Sequence, residues 1–486
     1  MGVTAQEYVM FAYKPYHNMN QYSNSGTNSC MVANRISYEF DFRGPSFSVD
    51  TACSSSLYSI HLACQALRQN SCCMALAGGV NLILSPGCTI GFCQAGMLSP
   101  DGKCKSFDQS ADGYSRSEGA GVVVLKPLRE ALKCGDRVYA VLRGGALSND
   151  GRTPGIANPS YDAQEELIKD ACRQAGIHPH EVVYAEAHGT GTRVGDKTEV
   201  GAIGEIMGRE RGPQNPPLYV GSVKSNLGHS EGAAGVAGII KATLCLYNRK
   251  IPPVVHFKTP NENVDFKALQ VNVPTALTPW PTKSRLLACC SSFGFGGANA
   301  NMVLEGRTSQ TTNGLSEMPG EILSCLLLSA VTPDALNQRI KYWVGFLEQN
   351  AKMTRANFFK SLYTASCRTQ HHPYRLGFAV YSREDALQQL RLKLDGGKAR
   401  CVDGVAPATT GKARPIVFVF TGMGTQWWGM ARELMNTRPA FVSKIQVSHP
   451  FIIINLECKG SASLSVGSQR HPFPKANHSE VSNDHF

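Results

Sequence analysis

One stretch, Gly44-Pro-Ser-Phe-Ser-Val-Asp-Thr-Ala-Cys53-Ser-Ser-Ser-Leu57, restricts the architecture of this chain more than any other. Ser46–Val49 is short and partly β-branched, whereas from Ser54 onward Leu57, Ile60, Cys64 and Leu67 recur at helical spacing. Asp50 and Thr51, both N-cap types, stand just before that helix. A strand that turns directly into a helix is the building unit of an α/β domain. Cys53 then lies at the helix N-terminus, where unpaired N–H groups and the macrodipole favour a thiolate. Such a cysteine is a candidate nucleophile. The competing reading is an inert small hydrophobe, because the chain holds 17 cysteines and free cysteine is commonly buried. Partners elsewhere in the chain must decide.

At 486 residues there is room for about two or three domains. A hydrophobic content of 42% with 17% charged residues is that of a soluble globular protein. The cysteines are odd in number and contain no C-x-x-C. Neither a zinc site nor a disulfide scaffold is indicated, and a reducing, cytoplasmic setting is expected. Met1–Gln6 has no basic or apolar signal-peptide region, and Gln6 stands where a myristoylation motif has Ser or Thr. No apolar run approaches the roughly 18 residues of a membrane span. The net charge of +11 comes from scattered Lys and Arg, without a basic block beside stacking aromatics. That pattern speaks against nucleic acid and suits anionic thioester substrates or an acidic carrier protein.

Residues 1–305 have a mixed α/β texture, with strands expected at Gly121–Leu125 and Val138–Leu142 and helices at Ala163–Gln174 and Ala233–Leu246. Arg307–Gly320 turns to Thr, Ser, Gln, Asn and Gly and reads as a linker. A smaller α/β segment follows, with a helix at Asp334–Gln349 and a strand at Tyr374–Tyr381. A second boundary, Ala406–Pro415, precedes the strand-like Ile416–Phe420 and Thr421–Gln426. From about Gln446 the periodicity is lost, and residues 446–486 read as disordered or foreign to the fold.

Two histidines stand in glycine-rich loops. His188 lies in Glu186-Ala-His188-Gly-Thr-Gly-Thr192, after the strand-like Val182–Ala185. His229 lies in Lys224-Ser-Asn-Leu-Gly-His229-Ser-Glu-Gly, after the strand-like Leu218–Val223 and just before a helix. Either could be a hydrogen-bonded structural residue. Together with one cysteine, they fit acyl transfer through a covalent thioester. Gly228-His-Ser-Glu-Gly232 matches the G-x-S-x-G elbow of serine hydrolases, but that serine must follow a strand directly, and Lys224–His229 intervenes. After the strand-like Leu286–Ser291 comes a loop, Ser292-Phe-Gly-Phe295-Gly-Gly-Ala-Asn299, lacking the Gly-Lys-Ser/Thr of a phosphate loop. Its N–H groups could form an oxyanion hole shielded by the Phe295 ring, or the segment could be a plain tight turn.

In their order, these four segments resemble the β-ketoacyl synthase (ketosynthase) domain of type I polyketide and fatty acid synthases, over residues 1–305. The resemblance implies a thiolase-like fold, a five-layered αβαβα sandwich of two βαβαβαββ halves, and a homodimer. It assigns Cys53 as acyl acceptor, and His188 and His229 as the pair that holds the malonyl thioester and stabilises the enolate left by loss of carbon dioxide. Lys224 matches the lysine supporting that pair, and Thr190 and Thr192 match hydroxyls on the phosphopantetheine arm. Phe295 matches the gating aromatic, its N–H joining that of Cys53 in the oxyanion hole, with Gly296 beside it in the substrate-binding loop. It implies no bound metal or cofactor. Substrates would arrive on the phosphopantetheine of an acyl carrier protein or on CoA.

Residues 306–410, with Arg368-Thr-Gln-His-His-Pro-Tyr-Arg375, look like the linker domain between ketosynthase and acyltransferase. Residues 411–445, with Phe420-Thr-Gly-Met-Gly-Thr-Gln-Trp-Trp-Gly-Met430, resemble the start of an acyltransferase whose own serine motif is not reached, so no acyltransferase activity is expected. Relative to the family, an opening stretch on the order of a hundred residues is missing. An N-terminally truncated product is therefore expected. Asn301 replaces a usual His and Lys197 a usual Pro. Ser148–Ser160 looks more like the polyketide than the fatty acid version. Two alternatives remain at this level: an inactive or non-catalytic fragment of a synthase, and a thiolase- or chalcone-synthase-like condenser, which uses a second Cys or an Asn where this chain has histidines.

Overall fold

The structure, a computed structural model, describes residues 1–405 apart from 15, 210, 213–214, 282–284 and 308–323. It divides into Met1–Thr311 and Thr312–Phe486. The expected linker at 307–320 (beyond Arg307), the second boundary, the strand at 416–420 and everything to residue 486 lie outside the described residues.

The first unit is built on two principal sheets. One orders Gly2–Val3, Ala75–Asn81 and Gly119–Leu125, the first pair parallel and the second antiparallel. The other orders Val141–Asn149, Ala298–Gly306, Leu286–Phe293, Tyr184–Glu186, Leu218–Gly221 and Val271–Asn272, antiparallel across the first two pairings and parallel thereafter. Its strand Leu286–Phe293 is an unbroken apolar run at its start because both faces are covered. Ala288 and Cys290 point into the cluster holding Val236, Ile239 and Ala242. Cys289 points the other way, toward Ile168, Val200 and Ile203.

Helices Ser55–Arg68 and Ala234–Asn248 meet in the first of these clusters through fully buried Leu57 and Ile60. The first packs on strand Ala75–Asn81 and the second on Leu286–Phe293. Their approach requires glycine: a Cβ on Gly235 would stand 2.7 Å from Leu57 Cγ. The parallel strands Tyr184–Glu186 and Leu218–Gly221 both end toward loops that carry the two histidines, beside the turn of the 286–306 hairpin. The carboxyl ends of parallel strands are where α/β sheets bind ligands.

Local expectations needed three adjustments. Ser46–Val49 is not a continuous strand: only Val49 bridges Gly2, through Val3 N–H donating to Val49 O at 3.0 Å and Val49 N–H to Met1 O at 2.8 Å. The helix starts at Ser55 with Ser54 as its cap, not after Asp50 and Thr51. The strand expected at Val138–Leu142 runs from Val141 to Asn149, because its register is set by pairing with Ala298–Gly306.

In the second unit, strands Ser324–Ala330, Tyr374–Val380 and Cys401–Val405 form an antiparallel sheet. Helices Pro333–Gln349, Arg355–Cys367 and Arg383–Leu394 bury Ile340, Trp343, Phe358, Leu362 and Leu390 with Leu326 and Phe378. Thr332, Thr354 and Ser382 cap these helices through side-chain oxygens that accept backbone N–H groups. No helix among the described residues is long and apolar enough to cross a membrane.

Candidate active site

The turn before helix Ser55–Arg68 is strained and well held. Ala52 has φ +54°, a left-handed conformation that costs a non-glycine residue roughly 1–3 kcal/mol. Asp50 Oδ1 accepts its N–H at 3.0 Å, Ser55 Oγ donates to its carbonyl at 2.6 Å, and Ser292 Oγ donates to Cys53 O at 2.7 Å. Cys53 follows directly on this turn and lies beside the two histidine loops. Its sulfur and ring nitrogens of His188 and His229 all lie within 4.8 Å of one another.

His188 follows strand Tyr184–Glu186 and is fixed by a carboxylate from helix Arg193–Ile203. Glu199 accepts the N–H of His188 at 2.6 Å and that of Gly189 at 2.8 Å. Gly189 takes φ +43°, and a Cβ there would lie 2.7 Å from Ser222 Cβ. The Nδ1 of His188 accepts the N–H of Phe293 at 3.4 Å, and the Nδ1 of His229 accepts that of Glu231 at 3.0 Å. In a neutral ring whose Nδ1 accepts, the proton sits on Nε2. The rings stand 5.4 Å apart at 86°. The site therefore presents two Nε2–H donors beside one sulfur.

Thr190 and Thr192 share a hydroxyl contact of 3.1 Å in the loop after His188. Lys224 is buried on the short helix Lys224–Leu227. Phe295 is half exposed, and its N–H, like that of Cys53, acts on the Cys53 thiol in the direction that favours a thiolate. The loop's need for glycine falls at Gly294, where a Cβ would meet Thr51 O at 2.4 Å, and at Gly297, φ +87°; a Cβ on Gly296 would meet nothing. Rings then run inward from Phe295 to Phe92 (6.2 Å), Tyr114 (6.2 Å) and His229 (5.0 Å).

Comparison with known proteins places the chain in a family. Residues 1–131 match the N-terminal domain of β-ketoacyl synthases, 139–258 their C-terminal domain, 260–380 the ketoacyl-synthetase C-terminal extension, and 417–453 the acyl transferase domain. Among solved structures, the chain is similar to the ketosynthase from module 6 of the bacillaene synthase of Bacillus subtilis 168. The identity is 33% and the TM-score 0.67, covering 83% of this chain and 74% of that one. The chain belongs to the β-ketoacyl synthase family. An oxazolomycin ketosynthase domain from Streptomyces albus JA3453 matches at 32% identity and TM-score 0.71, over 85% of this chain and 72% of that one. A phenolphthiocerol/phthiocerol polyketide synthase of Mycobacterium tuberculosis is 43% identical over 457 residues, 93% of this chain and 24% of that protein. A highly reducing polyketide synthase of Emericella nidulans is 40% identical over 480 residues, 92% and 19%. The chain thus spans about a quarter or less of the length of these curated relatives. Its fold is the thiolase-like α/β fold of its structural neighbours.

Electrostatics in the ketosynthase pocket correct one expectation. Burial pushes the Cys53 thiol up to about 11, outweighing the Lys224 ammonium and the two N–H groups that act in the other direction. The helix terminus does not make a resting thiolate here, because an enclosed sulfur loses more hydration than the dipole returns. Burial, then the Lys224 charge, hold both histidines well below their ordinary range and therefore neutral. Cys53, His188 and His229 are also the one group among the described residues with metal-ligand spacing. A metal-bound histidine, however, donates its second N–H to an acceptor. Both Nδ1 atoms here face N–H donors instead. The donor set suits proton donation through Nε2 and does not fit a cation.

The sequence reading missed Asp196 and Glu199. Asp196 accepts the N–H of Phe107 at 2.7 Å and of Gly191 at 3.0 Å, so the pair braces the loop bearing His188, Thr190 and Thr192. Burial pushes their carboxyls up to about 6 and about 7. Their i,i+3 spacing just after the glycine-rich loop was the available signal. Lys224→Met is expected to raise both histidine pKa values and to cut the thiolate fraction of Cys53 about tenfold at fixed pH. The sign follows because the lysine charge lowers all three. Histidine NMR titration and the rate of Cys53 alkylation measure both changes; a lysine-independent thiol would contradict this account.

Proposed function

We propose that this chain is a β-ketoacyl synthase that joins an acyl group to a malonyl-type unit by decarboxylative Claisen condensation, in polyketide assembly. The observation that carries the reading is a pair of imidazoles, each with Nδ1 accepting a backbone N–H, that have ring nitrogens within 4.8 Å of one thiol. In the first half-reaction the Cys53 sulfur attacks the carbonyl of an acyl thioester. The carrier thiol departs with the proton that Cys53 gives up, leaving an acyl-cysteine.

In the second, the malonyl thioester oxygen lies against Nε2–H of His188 and His229. The bond to the carboxylate breaks, carbon dioxide leaves, and its electron pair becomes an enolate held by those two donors. Because decarboxylation makes the carbanion, no proton has to be removed from carbon. The enolate carbon attacks the acyl-cysteine carbonyl, whose oxygen collects charge beside the N–H groups of Cys53 and Phe295. Collapse expels the Cys53 sulfur, which takes up one proton from water, and leaves a β-ketoacyl thioester on the carrier.

Burial, with the Lys224 charge, keeps both rings neutral, so that with Nδ1 taken up as an acceptor each ring offers a single Nε2–H donor. Thr190 and Thr192 would bind the amides of a phosphopantetheine arm presented by an acyl carrier protein or CoA, and Phe295 with Gly296 would line its entry. We assign the ketosynthase to residues 1–305, the linker domain to 306–410 and an acyltransferase start to 411–445. The protein is read as cytoplasmic, in keeping with the free thiols among its described residues. A homodimer is supported by exposed Tyr38, Phe40 and Phe42, the last two with rings stacked at 5.6 Å.

The test supplies purified full chain with an acyl thioester and malonyl on a carrier thiol. Expected are acyl mass on the tryptic peptide containing Cys53 and release of carbon dioxide. A folded sample that takes up no acyl group at Cys53 would overturn the reading.

A further inference from the structure

His229 depends for its tautomer on a backbone that should not adopt its shape unaided. Its Nδ1 accepts the N–H of Glu231 at 3.0 Å, and Glu231 lies at φ +42°, in the left-handed region that favours glycine. A relaxed Glu231 would turn that N–H elsewhere, and Nδ1 and Nε2 would then compete for the ring proton. Something must hold residue 231. The carboxylate of Glu231 is gripped by Arg116, with Nε to Oε1 at 2.5 Å and a second guanidinium nitrogen to Oε2 at 3.3 Å.

Arg116 is itself buried and immobilised. It donates to Thr89 Oγ1 at 2.7 Å, lies 3.7 Å from the Glu7 carboxylate, and covers the ring of Phe92 at 5.5 Å. The flanks of Arg116 grip the same turn from its other end. His229 N–H donates to Ser115 O at 2.7 Å and Ser117 N–H donates to His229 O at 2.9 Å. Segment 115–117 thus holds His229 by its backbone and Glu231 by its side chain.

We propose that Arg116 and Glu231 are positioning residues that enforce the left-handed turn at 231 and so fix His229 as the Nε2–H donor. This deepens the condensation reading above, and it makes a statement about the resting protein that can be tested without substrate. The alternative is a plain structural ion pair. The two differ in what glycine does at 231. Glycine takes φ +42° freely, so Glu231→Gly needs no clamp, whereas Glu231→Ala loses the clamp and keeps the strain.

Nitrogen-15 NMR of the imidazoles in the full chain, with His229 assigned by the loss of its signals in His229→Asn, reads the tautomer directly. Wild type should show Nε2–H alone. Glu231→Ala should mix the two tautomers and Glu231→Gly should restore Nε2–H. Arg116→Met should mix them in the wild-type background and leave them unmixed in Glu231→Gly. With a malonyl thioester, Glu231→Ala should lose carbon dioxide release in proportion to its Nδ1–H fraction, about twofold at equal mixing, and Glu231→Gly should recover most of it.

A pure Nε2–H ring in Glu231→Ala, or equal mixing in Glu231→Ala and Glu231→Gly, overturns the proposal. If Arg116→Met fails to fold, the alanine–glycine contrast at 231 still decides. Should the tautomers behave as stated while wild type releases no carbon dioxide, the clamp stands and the condensation reading falls.

Discussion

His188→Ala and His229→Ala should each slow malonyl decarboxylation by about 10²–10³, the effect of removing one preorganised donor from a developing oxyanion. Both rings are neutral and offer Nε2–H to one region beside Cys53, at 5.4 Å ring separation. Each stabilises charge that exists only after the carbon–carboxylate bond begins to break, so the loss should appear in turnover more than in substrate binding. Acyl uptake by Cys53 precedes the enolate and should fall much less. The double variant should be little slower than the worse single one, because two donors to one oxygen act as a unit and their losses do not add. Carbon dioxide release per Cys53 measures this. A single variant within about tenfold of wild type would mean that the ring in question does not face the forming enolate.

Much of this site was legible because its chemistry is written in local sequence. Glycines around His188 and His229 announce loops in which backbone comes close to a ligand, and Cys53 announces itself by lying before a helical repeat among small residues. Elements with strong periodicity also came through: the helix expected at Ala163–Gln174 spans Tyr161–Ala175. What failed was non-local. The strand expected from Val138 slid to Val141–Asn149 because its register belongs to Ala298–Gly306. Gly296 drew attention by its neighbours, yet it is Gly294 that lies against Thr51, some 240 positions away in sequence but adjacent in space. Asp196 and Glu199 were passed over in the sequence, and only the folded chain shows that both are enclosed and that both hold the His188 loop. The largest reversal concerns Cys53. A helix terminus can be read from sequence, whereas desolvation of a sulfur depends on every element that closes over it.

That reversal gives the second large expected effect. With the thiol near 11, only about one Cys53 in a thousand is a thiolate at pH 8. Its alkylation by iodoacetamide should therefore rise about tenfold per pH unit, or about 10³ between pH 7 and 10, since the thiolate is the reacting species. The rate should level only near 11. Exposed cysteines such as Cys30, Cys73, Cys88 and Cys93 also react, so modification must be counted on the Cys53 peptide alone. The histidines should not bend this profile, because both are held neutral well below the window. A plateau below pH 8 would identify a resting thiolate and restore the helix-dipole account. If the rise continues to pH 10, the nucleophile must lose its proton as it attacks. Burial of Cys53 then protects the resting thiol from adventitious electrophiles, and deprotonation belongs to the bound acyl donor, whose departing thiol can take the proton.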